Sequence, residues 1–165
     1  MKFSSYSDVA RSKLIMGLLL LAVFPVIAMG LLSLFSRTPS NLGAVNGRLS
    51  RCPVSPNCVS TQASDPVHRI EPIHFDGSAN NAITRLKEII AAMPRAKLAN
   101  ESEFYMHVEF TSLIFRFVDD VEFLIDPATH TIHFRSASRV GSSDLGVNRK
   151  RMEEIRRKFD AQQQK

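Results

Sequence analysis

From Leu14 to Phe35 the chain runs for 22 residues without a charge, as Leu-Ile-Met-Gly-Leu-Leu-Leu-Leu-Ala-Val-Phe-Pro-Val-Ile-Ala-Met-Gly-Leu-Leu-Ser-Leu-Phe. Crossing a bilayer takes about 20 apolar residues in a helix, so the run is long enough to span one. A cleaved signal peptide is the competing reading: Val26-Ile27-Ala28 offers small residues for cleavage, and Pro25 stands before them as a helix breaker. Cleavage there would leave Met-Gly-Leu-Leu-Ser-Leu-Phe as an apolar new terminus, which a soluble exported protein would not favour. The run therefore reads as an uncleaved transmembrane anchor. Under either reading, the residues after it face the membrane or its far side.

The 165 residues leave room for one soluble domain beyond that segment, since single domains cluster near roughly 100 to 150 residues. A formal charge of +5 is a modest excess and suits an anionic membrane surface. Lys2, Arg11 and Lys13 precede the span and Arg37, Arg48 and Arg51 follow it, so the positive-inside rule gives only a weak orientation. The cysteines tilt the balance. Cys52 and Cys58, the only two in the chain, enclose a turn-rich loop in Cys-Pro-Val-Ser-Pro-Asn-Cys. A bridge there contributes roughly 2 to 2.5 kcal/mol in the chain-entropy account, and it persists only in an oxidising compartment. Zinc sites put fewer residues between paired cysteines and need two more ligands, for which His68 and His74 are only loosely placed. The expectation is a disulfide, no metal, and a single-pass inner-membrane protein with its C-terminal domain on the periplasmic side.

Four segments follow: a short tail over 1–13, the anchor over 14–35, a loop-rich tether over 36–66, and the folded domain over 67–165. The tether is rich in Ser, Pro, Asn and Gly and lacks a sustained apolar period. Val67 to Phe75 reads as an edge strand, because Pro72 removes a ladder donor. Asp76-Gly77-Ser78 then offers a turn and an N-cap. Ala79, Ala82, Ile83, Leu86, Ile90 and Met93 recur at three and four and mark a helix that Pro94 stops. After a weak strand near Lys97 to Asn100, Phe104 to Thr111 alternates strictly between apolar and polar residues. Phe115 to Asp126 reads as the next strand, and Asp126 to Thr131 as its turn. Pairing Ile125 with Ile132 makes the apolar faces coincide, setting Phe123 against Phe134, Glu122 against Arg135 and Asp120 against Ala137. A last helix from Leu145 to about Gln162 buries Leu145, Met152, Ile155 and Phe159, with Asn148 on the same stripe. The order predicts an α+β fold: an antiparallel sheet with two helices on one face, preceded by one transmembrane helix.

Three constellations carry polar chemistry. The first is the polar sheet face of Tyr105, His107, Glu109, Arg116, Asp120, Glu122, Arg135 and Arg139. It is either a solvated face, as antiparallel sheets commonly show, or a partly covered one whose arginines hold an acidic ligand that His107 and the carboxylates orient. The arginines oppose a metal there. The second is the turn from Phe134 to Arg151, where Arg135 and Arg139, four serines, two glycines and Asp144 surround a helix start. The third is the basic helix with Arg149, Lys150, Arg151, Arg156, Arg157 and Lys158. Its Glu153–Arg157 and Glu154–Lys158 spacings suit a solvated face, and it has no interleaved aromatics for nucleic acid. No spacing amounts to a catalytic signature: Ser136 and Ser138 lack a glycine-flanked elbow and a local histidine base on their side.

Cys-Pro-Val-Ser-Pro-Asn-Cys-Val-Ser at 52–60, Asp-Asp-Val-Glu at 119–122 and Arg-Ser-Ala-Ser-Arg-Val-Gly-Ser-Ser-Asp-Leu-Gly-Val-Asn-Arg at 135–149 resemble an uncharacterised family of bacterial and plastid proteins, a domain of unknown function. The resemblance covers roughly Arg51 to Phe159 and brings no activity, cofactor or fold. It implies that Cys52, Cys58, Asp120, Glu122, Arg135, Ser138, Arg139, Asp144 and Asn148 lie within the family's pattern. With His107, these give the expected ligand-binding set of Arg135, Ser138, Arg139, Asp144, Asn148, Asp120, Glu122 and His107, with no cofactor. The leading expectation is a membrane-anchored domain that binds an anionic small molecule, a lipid headgroup or a partner protein without chemistry. The alternatives are a hydrolase-like enzyme using His107 with Asp120 or Glu122, and an envelope assembly module.

Overall fold

The computed structural model describes residues 4–34 and 36–164. Helix α1 (Ser4–Leu34) holds the apolar run as far as Leu34 and continues through Pro25, and Phe35 lies outside the described residues. Two short hairpin strands follow, β1 (Ala44–Val45) and β2 (Arg48–Leu49), paired with each other. Next come β3 (Cys58–Ser60), β4 (Ile73–His74), α2 (Ala79–Ala91), β5 (Ala96–Ser102), β6 (Tyr105–Thr111), β7 (Val118–Asp126), β8 (Thr131–Ser138) and α3 (Val147–Gln163). The main sheet is antiparallel in the order β3-β8-β7-β6-β5, with β4 pairing β8 beside β3. The fold is thus α+β, an apolar helix leading into an antiparallel sheet with two further helices.

The register follows the alternation. Ile125 pairs with Ile132, Phe123 with Phe134, Glu122 with Arg135 and Asp120 with Ala137. Helix α2 starts where Ser78 accepts a hydrogen bond from the Asn81 N–H at 3.2 Å. It buries Ala82, Leu86, Ile89 and Ile90, and α3 buries Met152, Ile155 and Phe159. These side chains share one core with Val108, Val121, Phe123 and Phe134 of the sheet, which places both helices on the same face.

Four local expectations give way. Of Val67 to Phe75, only Ile73–His74 joins the ladder, with Arg69 bridging Ser60. The strand expected from Phe115 begins at Val118, because Arg116 takes a left-handed φ of 58° and ends the extended run. Ser112 N–H to Phe117 O at 2.8 Å and Phe117 N–H to Ser112 Oγ at 2.9 Å close the loop between them. Leu145 is not on the helix stripe: it stands in the turn before α3 with φ 54° and is 88% exposed. Cys58–Ser60, inside the stretch read as a loop-rich tether, pairs with Ala137, Ser136 and Arg135 as a strand of the main sheet.

Candidate functional site

Alternation along β6, β7 and β8 sends Tyr105, His107, Glu109, Asp120, Glu122 and Arg135 to the face opposite the helices. Arg139 follows β8 on that side, its N–H bonded to Val118 O at 3.0 Å. This face is not solvated. His107 is 5% exposed, Asp120 1%, Glu122 0% and Arg135 5%. The segment between α1 and β3 covers it: β2 packs on β7, and the Gly43 N–H donates to Glu122 Oε1 at 2.7 Å.

Burial of so many charges is tolerable only if each is paired and hydrogen-bonded. Glu122 accepts from Gly43, from the Tyr105 hydroxyl at 2.9 Å and from Arg135 Nη1 at 3.2 Å. Asp120 hydrogen-bonds His107 Nε2 at 2.7 Å and receives a two-pronged guanidinium contact, Arg139 Nε at 2.8 Å and Nη2 at 2.7 Å. Arg139 Nη2 also donates to Glu109, which Lys97 approaches at 3.6 Å from the rim. Arg135 Nε is the one buried side-chain nitrogen or oxygen without a partner among the described residues.

The titrations follow from these contacts. Burial pushes the Asp120 carboxyl up, but the hydrogen bonds and charges of Arg139 and His107 outweigh it and hold it below the ordinary carboxylate range. Glu109 behaves alike: desolvation raises it, and Arg139 with Lys97 brings it below the usual value. The Tyr105 hydroxyl is pushed up, first by burial and then by the Glu122 charge, so it stays a donor.

The remaining expected residues lie on the other side of the sheet. Ser138 shares the helix face of β8 with Ser136. There Asn148 Nδ2 donates to Ser138 Oγ at 3.0 Å and to Asn57 O at 3.1 Å, while Asn148 Oδ1 accepts from Ser136 Oγ at 2.5 Å and Arg151 Nη1 at 2.6 Å. Arg151 reaches on to Asp119 Oδ2 at 2.6 Å and lies 4.7 Å from the centre of the Phe110 ring. Asp144 is engaged with the start of α3, accepting from the Gly146 N–H at 3.1 Å and the Asn148 N–H at 2.7 Å. Its carboxylate therefore occupies the helix N-terminus that would otherwise receive an anion.

The eight expected residues thus divide between two clusters and a cap. His107, Asp120, Glu122, Arg135 and Arg139 come together on one face, Ser138 and Asn148 on the other, and Asp144 at the helix start. Asp119, Ser136 and Arg151 complete the second cluster and were not singled out as site residues from sequence. The signal was present: Asn148 and Arg151 stand three apart on a helix, and Asp119 alternates in phase with Val121 and Phe123.

A shallow cleft of about 480 Å³ opens beside the first cluster, between Leu42 and Gly43 on one side and Lys97, Tyr105, His107 and Glu109 on the other. Asp120 orients His107 as a carboxylate orients a catalytic imidazole, yet the same carboxylate is clamped by Arg139. Ser136 and Ser138 are separated from His107 by the sheet, so no serine–histidine pair forms from these residues. Among the described residues, no three His, Cys, Asp or Glu side chains converge as a metal site.

A family model for a protein of unknown function, DUF1499, matches residues 48–159. The chain belongs to that family. No curated protein and no solved structure matches it. In this member of DUF1499, the matched region begins at β2 and ends in α3. The strands that carry the polar face, β6 to β8, and the disulfide-closed loop of Cys52 and Cys58 therefore fall inside it, while β1 and Gly43 precede it.

Proposed function

We propose that the protein is a single-pass inner-membrane protein whose domain lies on the periplasmic side and binds anionic lipid headgroups there, without chemistry of its own. The anchor rests on α1, whose window Arg11–Ala28 has a mean hydropathy of 1.9 and buries nothing against the domain. The side rests on the Cys52–Cys58 bridge, which suits an oxidising compartment. The observation that carries the ligand class is a contrast between arginines. Arg135 and Arg139 are engaged by Glu122, Asp120 and Glu109 inside the domain. Arg37 and Arg116 are exposed where α1 meets the domain, and neither has a carboxylate partner among the described residues.

The test is native mass spectrometry of the full-length protein released from bilayers of mixed phosphatidylcholine and phosphatidylglycerol. Selective retention of phosphatidylglycerol is expected, falling several-fold in the Arg37→Gln, Arg116→Gln double variant. Equal retention of both lipids, or no change in the variant, would falsify the headgroup assignment. The hydrolase-like alternative has the 2.7 Å His107–Asp120 hydrogen bond in its favour. It requires turnover of simple ester substrates that His107→Ala abolishes while lipid retention is unchanged.

A further inference from the structure

The end of the domain that meets α1 carries exposed apolar side chains on two neighbouring loops. The β6–β7 loop reads Ser112-Leu-Ile-Phe-Arg-Phe117, and its Leu113 and Ile114 are 70% and 76% exposed. The turn between β8 and α3 presents Leu145, and α3 opens on Val147, 88% and 47% exposed. Water-facing loop tips ordinarily carry small or polar residues, so four large aliphatic side chains on adjoining tips need a partner. The other exposed large hydrophobics outside α1, namely Val45, Val54, Val67 and Leu98, stand singly on other segments. An open groove of about 290 Å³, lined mainly by apolar surface, joins the two loops between Phe117, Val140 and Val147.

The position of α1 identifies the partner. Ser33 Oγ donates to the Arg116 carbonyl at 2.6 Å, and Ser33 is buried against the loop. The left-handed φ of 58° at Arg116 belongs to the loop conformation that makes this contact. Ser33 is the twentieth residue of the uncharged run that opens at Leu14, about 30 Å along a helix at 1.5 Å per residue. That distance brings the hairpin loop to the headgroup layer of the bilayer α1 would cross. Arg116 is held at Ser33 by that contact and Arg37 follows Ser33 four residues on, and basic residues flank apolar side chains in this way where these enter an interface.

We propose that the β6–β7 loop and the β8–α3 turn insert their apolar tips into the leaflet surrounding α1, giving the domain a second membrane contact that sets its orientation. The occupant of this surface is bilayer lipid, acyl chains against Leu113, Ile114, Leu145 and Val147 and phosphates against Arg116. The proposal rests on α1 being a span, so its test reads that separately.

The chain contains no tryptophan, so a single introduced indole reports its own surroundings. Full-length Leu113→Trp, Ile114→Trp, Val147→Trp, Ala128→Trp and Leu20→Trp are reconstituted in phosphatidylcholine and phosphatidylglycerol vesicles. Phospholipids brominated either high on the acyl chain or near its end supply depth-dependent quenching. Ala128 lies in the β7–β8 turn, the length of β7 away from the hairpin loop, about 30 Å at ~3.3 Å per residue. The expected result is deep quenching at 20 and blue-shifted emission with shallow quenching at 113, 114 and 147. Quenching at those three sites is expected to exceed that at 128 several-fold. Quenching at 20 with water-like, unquenched emission at 113, 114 and 147 overturns loop insertion and leaves the anchor standing. Absence of quenching at 20 overturns both. Far-UV circular dichroism confirms that each variant is folded, and agreement between 113 and 114 guards against one poorly placed indole.

Discussion

The two faces of the main sheet are built from the same strands and are both buried, by opposite means. On one, Val108, Val121, Phe123 and Phe134 pack under α2 and α3, and removal of apolar surface from water stabilises the contact. On the other, Asp120, Glu122, Arg135 and His107 are equally withdrawn from water, where each charge is tolerated only through a partner. The apolar face is held by volume, so neighbouring shapes can readjust. The polar face is held by pairing, so losing one member leaves its partner stranded.

The largest expected effect compares one residue from each face. Phe123→Ala leaves a cavity and should cost about 3–5 kcal/mol. Glu122→Ala leaves Arg135 buried beside the Tyr105 hydroxyl without its carboxylate and should also cost about 3–5 kcal/mol. Urea unfolding of the solubilised full-length protein measures both. A cost below about 1 kcal/mol for Glu122→Ala, the scale of exposed ion pairs, would break the comparison. Adding Arg135→Met to Glu122→Ala should recover much of the loss, since the stranded charge is then gone.

Next in size is Asp120→Asn, which weakens two charge-assisted contacts and should cost up to about 3 kcal/mol. Its pH dependence sharpens the difference between the faces. Asp120 and Glu109 titrate below the ordinary carboxylate value when folded, so the unfolded chain takes up their protons first as pH falls. Their stabilisation is present above the unfolded value near pH 4 and is lost as pH drops through the lower folded value. Asp120→Asn should therefore flatten the acid limb of a stability–pH profile, whereas Phe123→Ala should shift the whole profile down in parallel. An acid limb unchanged by Asp120→Asn would assign it to other carboxylates.

The smallest effect lies where the two faces share an edge. Cys52→Ser with Cys58→Ser loosens the loop entering β3, and the chain-entropy account gives a cost of roughly 2 kcal/mol. Lowered protection of the β3 amides in hydrogen exchange, with β6 and β7 largely unchanged, is the expected pattern. Uniform loss of protection through the sheet would show that the loop supports the whole domain.

Much of this construction was legible in the chain. Strict alternation over Tyr105–Thr111, and the alternation of Thr131 to Arg135, set the side-chain faces, and a one-residue slip would have moved Phe123 and Phe134 out of the core, so the pairing of Ile125 with Ile132 followed. The period of α2 and its stop before Pro94 were equally local. The hairpin loop was not, because Phe115 and Phe117 continue an apolar alternation that only the backbone reversal at Arg116 interrupts. Nor was the exposure of Leu145, which depends on Asp144 capping α3 two residues later than the apolar stripe suggests.

The sequence by itself determined the apolar helix, the strand faces and the partners across the sheet, since each follows from spacing within one or two segments. Only the tertiary structure decided that the polar face is buried. That depends on residues between α1 and β3 folding back so that Gly43 meets Glu122, 79 positions away, a contact that no local period records. The same long-range closure turned Arg135 and Arg139 inward to carboxylates and left Arg37 and Arg116 outside. A side chain's charge is written in the chain, but whether water or a counter-charge faces it depends on what packs over it.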